Sequence, residues 1–282
     1  MRRALVNRLT SHLAVRKIHR RLAGITGNLY SGEFRTFEDA RTSIPPGKPV
    51  GYDLPEFAGW YRERLDQIQV EDYPMLFWLS RVLPGVQRVF DFGGHVGLHF
   101  YSWRSVLDLP KALRWQVCDV PAVVESGRLL ARDRECLSQL SFTVEIQDAD
   151  GADVFIASGS VQYLEPGFLG RALRRLRVAP RHLLLNKVPV HDTRDFVTVQ
   201  DTGASFNPYT VRSRDRLNAE LSEAGYAQVE TWKNPYGCRV ALRPDLEVPK
   251  YTGEYWTRKD ASGADHEPIA KAPWRNRQTQ RI

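Results

Sequence analysis

The stretch RVFDFGGHVGLHFYSW, Arg88 to Trp103, sets the reading of the whole chain. A short run of five residues, RVFDF, carries an aspartate before its final phenylalanine, and backbone stripped of side chains follows. A strand that gives way to a glycine-rich turn and then a helix has this pattern. A tight turn, close packing of the following helix and a bound ligand all call for bare backbone there. A dinucleotide fingerprint needs G-x-G-x-x-G. Counted from Gly93, the second and third glycines are replaced by His95 and Leu98; counted from Gly94, position 96 is Val96. No Gly-Lys-Ser/Thr follows, so a phosphate loop fails as well. What remains is D-x-G-G-x-x-G, carried by Asp91, Gly93, Gly94 and Gly97.

Outward from this stretch the chain alternates. GLHFYSWRSVL suits a helix, RWQVCDV a second strand, and PAVVESGRLLARDREC a helix with Pro121 in its first turn. LSFTVEI and ADVFIASGS read as two further strands. PGFLGRALRRLRV reads as a helix with Leu169, Leu173 and Leu176 on one face, and RHLLLNKVPV as a fifth strand. SRDRLNAELSEAGY is a helix closed at Gly225, and AQVETW and TGEYWTR complete seven strands. Strands alternating with helices predict an α/β fold, a mainly parallel seven-stranded sheet with helices on both faces. Ligands of such sheets sit beyond the carboxyl ends of the strands, near the switch in strand order.

D-x-G-G-x-x-G at the end of a first strand resembles the cofactor loop of class I S-adenosylmethionine-dependent methyltransferases. The resemblance implies their Rossmann-like fold and S-adenosylmethionine as cofactor. It also implies that Gly93, Gly94 and Gly97 let the backbone approach the methionyl part while Asp91 helps orient the amino group. The next strand ends in Asp119, 28 residues after Asp91. An acid there can accept hydrogen bonds from ribose hydroxyls; it can equally cap the following helix, and the two uses are compatible. The run DVPAVV, with Asp119 and Val120, is similar to the corresponding segment of small-molecule O-methyltransferases. ASGS, with Ala157, Ser158 and Gly159, is placed to line the cofactor through its backbone. YSGEFRTFEDA, GYD, DFGGHVG, CDVPAVVESG, ASGSVQYLE, LLLNKVPV, FVTVQ, EAGYAQVETW and YTGEYW occur in order between Tyr30 and Arg258. Together they resemble a subgroup of bacterial methyltransferases found among surface-polysaccharide and O-antigen genes. That resemblance implies O-methylation of a sugar or polysaccharide precursor. A small-molecule O-methyltransferase with a non-sugar acceptor, and a non-catalytic cofactor-binding relative, stay open beside it.

Methyl transfer from a sulfonium is an in-line displacement, so the protein supplies alignment and a dry pocket. A hydroxyl or amine acceptor often needs a base. His95 is the first candidate because it sits in the glycine loop; Tyr163, His191 and Asp192 stand behind it, and His99 reads as packing within a helix. Gln162, Tyr163, Asn186 and Gln200 follow or end the later strands and match the subgroup's pattern. They are expected to converge on the acceptor, where amides suit sugar hydroxyls. Tyr30 and Phe34 of YSGEF either cover the pocket as a lid or pack in the core.

Composition bounds the rest. The chain has 282 residues, 42% hydrophobic and 26% charged, ordinary for a soluble globular protein. Its net charge of +7 is concentrated in one place. Residues 1 to 21 hold Arg2, Arg3, Arg8, Arg16, Lys17, Arg20 and Arg21 and no acid, leaving 33 basic against 33 acidic residues elsewhere. The body is therefore not a nucleic-acid binder by charge. Residues 1–29 read as a basic amphipathic leader, with Leu5, Leu9 and Leu13 at i+4 spacing. Contact of residues 1–24 with an anionic membrane, an organelle transit role, and a plain solvated helix are the three uses that fit. Residues 30–258 form the methyltransferase-like domain, and 259–282 a polar, basic tail expected to be disordered. Cys118, Cys136 and Cys238, odd in number and without CxxC spacing, argue against a disulfide framework and against a metal site. They suit the cytoplasm. Neither the acceptor nor the oligomeric state is legible.

Overall fold

A computed structural model describes residues 28–60 and 62–259. In chain order its strands are β1 (Leu29–Phe34), β2 (Arg88–Phe92), β3 (Arg114–Cys118), β4 (Leu140–Thr143), β5 (Val154–Ser158) and β6 (His182–Val188). These are followed by β7 (Val190–His191), β8 (Phe196–Asp201), β9 (Phe206–Ser213), β10 (Tyr226–Lys233) and β11 (Thr252–Arg258). The α-helices are α1 (Phe37–Ser43), α2 (Pro55–Ala58), α3 (Tyr73–Val82), α4 (Leu98–Trp103), α5 (Pro121–Asp133), α6 (Phe168–Arg175) and α7 (Arg214–Glu223).

The seven strands expected from the sequence form one sheet, ordered β10-β11-β6-β5-β2-β3-β4. The pairs β6–β5, β5–β2, β2–β3 and β3–β4 are parallel, and β11 is antiparallel to both of its neighbours. This order, with one antiparallel strand slotted beside the fifth parallel one, is that of the Rossmann-like class I methyltransferase fold. Side chains alternate across the sheet at the period of two. Val89, Ile156 and Leu184 point to one layer, with Met75, Leu79, Trp103 and Trp115. Phe90, Phe155, Leu183 and Leu185 point to the other, with Leu169, Leu173, Leu217 and Leu221. Helices α3, α4 and α5 therefore cover one face, and α6 and α7 the other.

Local signals act where they were read. Pro121 is the first residue of α5, behind an extended Val120, and Gly225 follows α7 with φ +92°, the left-handed geometry glycine takes without a Cβ penalty. The three cysteines are free and buried.

The sequence reading did not contain a second sheet. Strands β1, β8, β9 and β7 form it in that order. It is built mostly from the chain between β6 and α7, with β1 added antiparallel to β8. YSGEF is thus a strand. Phe34 packs with Ala40, Val197, Val199 and Phe206. The boundary expected at residue 30 falls one residue inside β1. The leader and its proposed membrane contact fall on residues 1–27, and all of the tail but Lys259 on 260–282, outside the described residues. Among the described residues no helix is long and apolar enough to cross a membrane.

Candidate active site

The chain runs from β2 through β3 to β4 on one side and then returns to place β5 on the other side of β2. The switch point therefore lies between β2 and β5, and there two glycine turns meet. Gly93 has φ +71°, and a Cβ on it would lie 2.3 Å from Cβ of Ser160. Its N–H donates to the carbonyl of Cys118 at 2.7 Å, while Ser160 Oγ donates to the carbonyl of Phe92 at 2.7 Å. A Cβ on Gly94 would lie 2.4 Å from Oδ2 of Asp91. Gly97, φ +98°, precedes α4. Packing within the protein thus accounts for all three glycines, and the same bare backbone lies at the carboxyl ends of β2 and β5. Gly159, φ +72°, donates to the carbonyl of Asn186 at 2.8 Å. Its Cβ position is clear to 3.7 Å.

Asp119 closes one side. Its Oδ2 accepts the N–H of His95 at 2.8 Å and its Oδ1 the N–H of Val120 at 2.8 Å. Burial pushes its pKa up to about 6, against the lowering effect of those two donors. It bonds two backbone groups and retains lone pairs for a diol. Asp119 does not cap the next helix: the N-cap residue of α5 is Val120, which gives no side-chain cap, and the first-turn N–H of Ala122 goes to Asp53, whereas the bond to His95 joins Asp119 to the glycine loop.

His95 adopts φ +56°, a left-handed conformation uncommon outside glycine and worth a functional explanation. Its Nε2 is 2.8 Å from the carbonyl of Phe57. A carbonyl only accepts, so Nε2 carries the proton and the neutral ring has its basic lone pair on Nδ1. Burial lowers its pKa, partly offset by the bond to Phe57, so the ring is neutral at pH 7. Phe57 belongs to the segment around α2, which the sequence reading passed over. Asp53 Oδ1 accepts the N–H of Ala122 at 2.8 Å at the start of α5. Tyr52 reaches across to the second sheet. GYD was the one legible trace of this cover.

The four residues expected around the acceptor do not share one hydrogen-bond network. Tyr163 and Gln200 meet: Tyr163 OH donates to Gln200 Oε1 at 3.1 Å, and Tyr52 OH lies 2.9 Å from Tyr163 OH and 3.2 Å from the same amide oxygen. Gln200 Nε2 donates to Tyr30 OH at 3.3 Å, and Tyr30 and Tyr209 continue the chain to Tyr251. Asn186, fully buried, belongs to another network: its Nδ2 donates to the carbonyl of Glu71, and its Oδ1 accepts from Trp232 and Asn234. Gln162 is buried at a small void between β6, β9 and helices α6 and α7. Asn186 and Gln200, on separate strands, satisfy different buried backbone and side-chain groups, while Gln162 and Tyr163 lie in a 3-10 turn. Burial, and then the neighbouring Tyr52, hold the pKa of Tyr163 well above 10. His191 lies in the edge strand β7, bonded to the carbonyl of Asp245, and Asp192 beside it is exposed.

His99 is more than packing. Its Nδ1 lies 3.0 Å from Asp91 Oδ1, and Trp115 Nε1 donates to Asp91 Oδ2 at 3.2 Å. Burial disfavours the imidazolium, but the Asp91 carboxylate outweighs it and raises the pKa. Asp91, fully buried, is an internal brace beneath the loop.

The residues fit S-adenosylmethionine by what they leave available. Asp119 suits the ribose, and the Gly93–Gly94 and Gly159 turns permit close approach of the ligand to backbone. Ser158 Oγ, at the end of β5, is buried without a hydrogen-bond partner.

No protein-family model and no curated protein matches the chain. Solved structures similar to it include the mitomycin 7-O-methyltransferase, at 18% identity and TM-score 0.44 over 66% of this chain; the chain spans about half, 54%, of that protein's length. The Burkholderia thailandensis 1,6-didemethyltoxoflavin N1-methyltransferase, solved with S-adenosylhomocysteine, is 16% identical over 72% of this chain and 85% of its own, with TM-score 0.48. The Synechocystis magnesium protoporphyrin IX methyltransferase, also solved with S-adenosylhomocysteine, is 14% identical over 73% and 95%, with TM-score 0.49. Likenesses this distant carry no weight for function, which has to come from the site.

Proposed function

We propose that this protein is an S-adenosylmethionine-dependent methyltransferase. The observation that carries the reading is the junction at the switch point. One hydrogen bond, from the N–H of His95 to Asp119, ties the glycine loop to an acid at the next strand end. When bound, the cofactor supplies an electrophilic methyl group. The chain holds its ribose with Asp119 and its extended body against the backbone of Gly93, Gly94 and Gly159, and the segment around Phe57 excludes water. His95, neutral and oriented by Phe57, takes the acceptor's proton on Nδ1. Titration calorimetry tests this. S-adenosylhomocysteine should bind, and NAD should bind more weakly or not at all; equal or tighter binding of NAD overturns it. With an acceptor in hand, His95→Ala should slow turnover by about 10²–10⁴-fold.

For the acceptor, O-methylation of a sugar or polysaccharide precursor is supported by the ordered segments from Tyr30 to Arg258. A non-sugar hydroxyl acceptor is favoured by a different observation. Tyr52, Phe57, Trp60 and Tyr163 form a packed corner of rings, with Tyr52–Tyr163 centroids 4.8 Å apart and Phe57–Trp60 4.4 Å, and the Gln200 amide beside it is engaged. Transfer of a labelled methyl group to nucleotide sugars or to phenols separates these two, and transfer to neither across such a panel favours the non-catalytic relative. If residues 1–24 act as a surface anchor, deleting them should abolish liposome binding that salt also weakens; full-length protein that ignores anionic liposomes at low salt leaves the plain helix.

A further inference from the structure

The carboxylate expected to orient the cofactor's amino group is already engaged. Asp91 is fully buried and is bonded by His99 and Trp115. A second group of charges borders the same loops. Lys187, the penultimate residue of β6, adopts φ +54°, a conformation a lysine holds only where its surroundings impose it. Its Cδ is 3.7 Å from the Cβ position of Gly159. Its Nζ lies 3.2 Å from Glu71 Oε1 and 3.9 Å from Asp72 Oδ1, and 22% of its side chain is exposed. Glu71 is further held by Tyr236 OH at 2.6 Å. Asp72 immediately precedes α3 and is 4% exposed. Its Oδ2 accepts from Trp103 at 3.4 Å, but its Oδ1 has no hydrogen-bond partner.

An ionised carboxylate oxygen left without a donor in a buried place is costly. A zwitterion answers that need, offering an ammonium to Oδ1 of Asp72 and a carboxylate to Nζ of Lys187. We propose that Asp72 and Lys187, rather than Asp91, clasp the charged amino-acid end of the cofactor, with Oδ1 of Asp72 accepting from its ammonium and Nζ of Lys187 donating to its carboxylate. This rests on the cofactor reading above. It assigns Asp91 to holding the loop from below, and it gives the lysine's unusual backbone a purpose.

The test compares S-adenosylhomocysteine with methylthioadenosine, which keeps the nucleoside and thioether and lacks the amino-acid end. In the unaltered protein S-adenosylhomocysteine should bind more than about tenfold tighter; equal affinities overturn the inference while leaving the cofactor reading intact. If neither compound binds, both fall. Asp72→Asn preserves the side chain's size, and Lys187→Asn suits a left-handed backbone. Each should weaken S-adenosylhomocysteine by about tenfold to a hundredfold and leave methylthioadenosine within about twofold, which also reports that the variant is folded. An unchanged ratio of the two affinities in both variants sinks the proposal.

Discussion

The two sides of the switch point are built differently. On the glycine-loop side, function-bearing geometry is in the backbone. Gly93, Gly94, Gly97 and Asp119 lie within a single strand–helix–strand run of the chain, and each is fixed by contacts to the immediate scaffold. On the side of the second sheet, the geometry is in side chains gathered from the whole chain. Tyr30, Tyr52, Tyr163, Gln200, Tyr209 and Tyr251 make one hydrogen-bonded chain, with 221 residues between Tyr30 and Tyr251. A backbone cradle fails all at once when a methyl group enters it, because backbone cannot swing aside. A network of hydroxyls loses one bond at a time. The first side should therefore be intolerant and the second graded.

Gly93→Ala gives that contrast its hardest test. The added Cβ meets Ser160 at 2.3 Å on a left-handed residue. Strain and overpacking together should cost about 2–6 kcal/mol, read as a lowered denaturation midpoint and loss of S-adenosylhomocysteine binding. A variant of ordinary stability and affinity would break the comparison.

Asp119→Ala should weaken S-adenosylhomocysteine by about 1.5–3 kcal/mol, the range for hydrogen bonds to a charged group. The ionised carboxylate is the form that accepts from the ribose. With a pKa near 6, affinity should fall by about tenfold between pH 7.5 and 5. In Asp119→Asn that fall should vanish. Fold stability should run the other way. A carboxyl whose folded pKa is raised stabilises the protein below its unfolded value and loses that contribution as pH rises through about 6. A titration of unfolding free energy against pH, compared with that of Asp119→Asn, checks the sign.

Tyr52→Phe is the smallest effect. It removes the hydroxyl shared with Tyr163 and Gln200 and keeps the ring against Phe57. A loss of about 0.5–1.5 kcal/mol in chemical denaturation is expected, with S-adenosylhomocysteine affinity unchanged. A collapse of cofactor binding would show that the two sides act as one unit.

How much of this was legible follows from the same contrast. The strand RVFDF and its loop announced themselves because a parallel strand buried on both faces is continuously apolar and a close approach leaves glycines. The second sheet did not. FNPYTVRS carries Pro208, which a central strand rarely tolerates. It is tolerated because β7 pairs only with Arg212 and Ser213, leaving the proline on an open edge. YSGEF gave no sign of its partner, since Tyr30 pairs with Gln200 far along the chain. The expected acceptor set does not share one network, because a residue's place at a strand end does not say what it must satisfy. Asn186 is spent on Glu71, Trp232 and Asn234, and Tyr163 on Gln200.

By itself the sequence determined the seven-stranded order of elements, the turn at Gly93–Gly94 and the acid at Asp119, because period, apolar runs and glycine are local properties of the chain. Only the tertiary structure decided that Asp91 is held by His99 and Trp115 and that Phe57 orients His95. It alone brought Glu71, Asp72 and Lys187 beside the glycine turns. Apart from the Asp91–His99 pair, those are contacts between residues far apart in sequence, fixed by packing, and no local pattern encodes them.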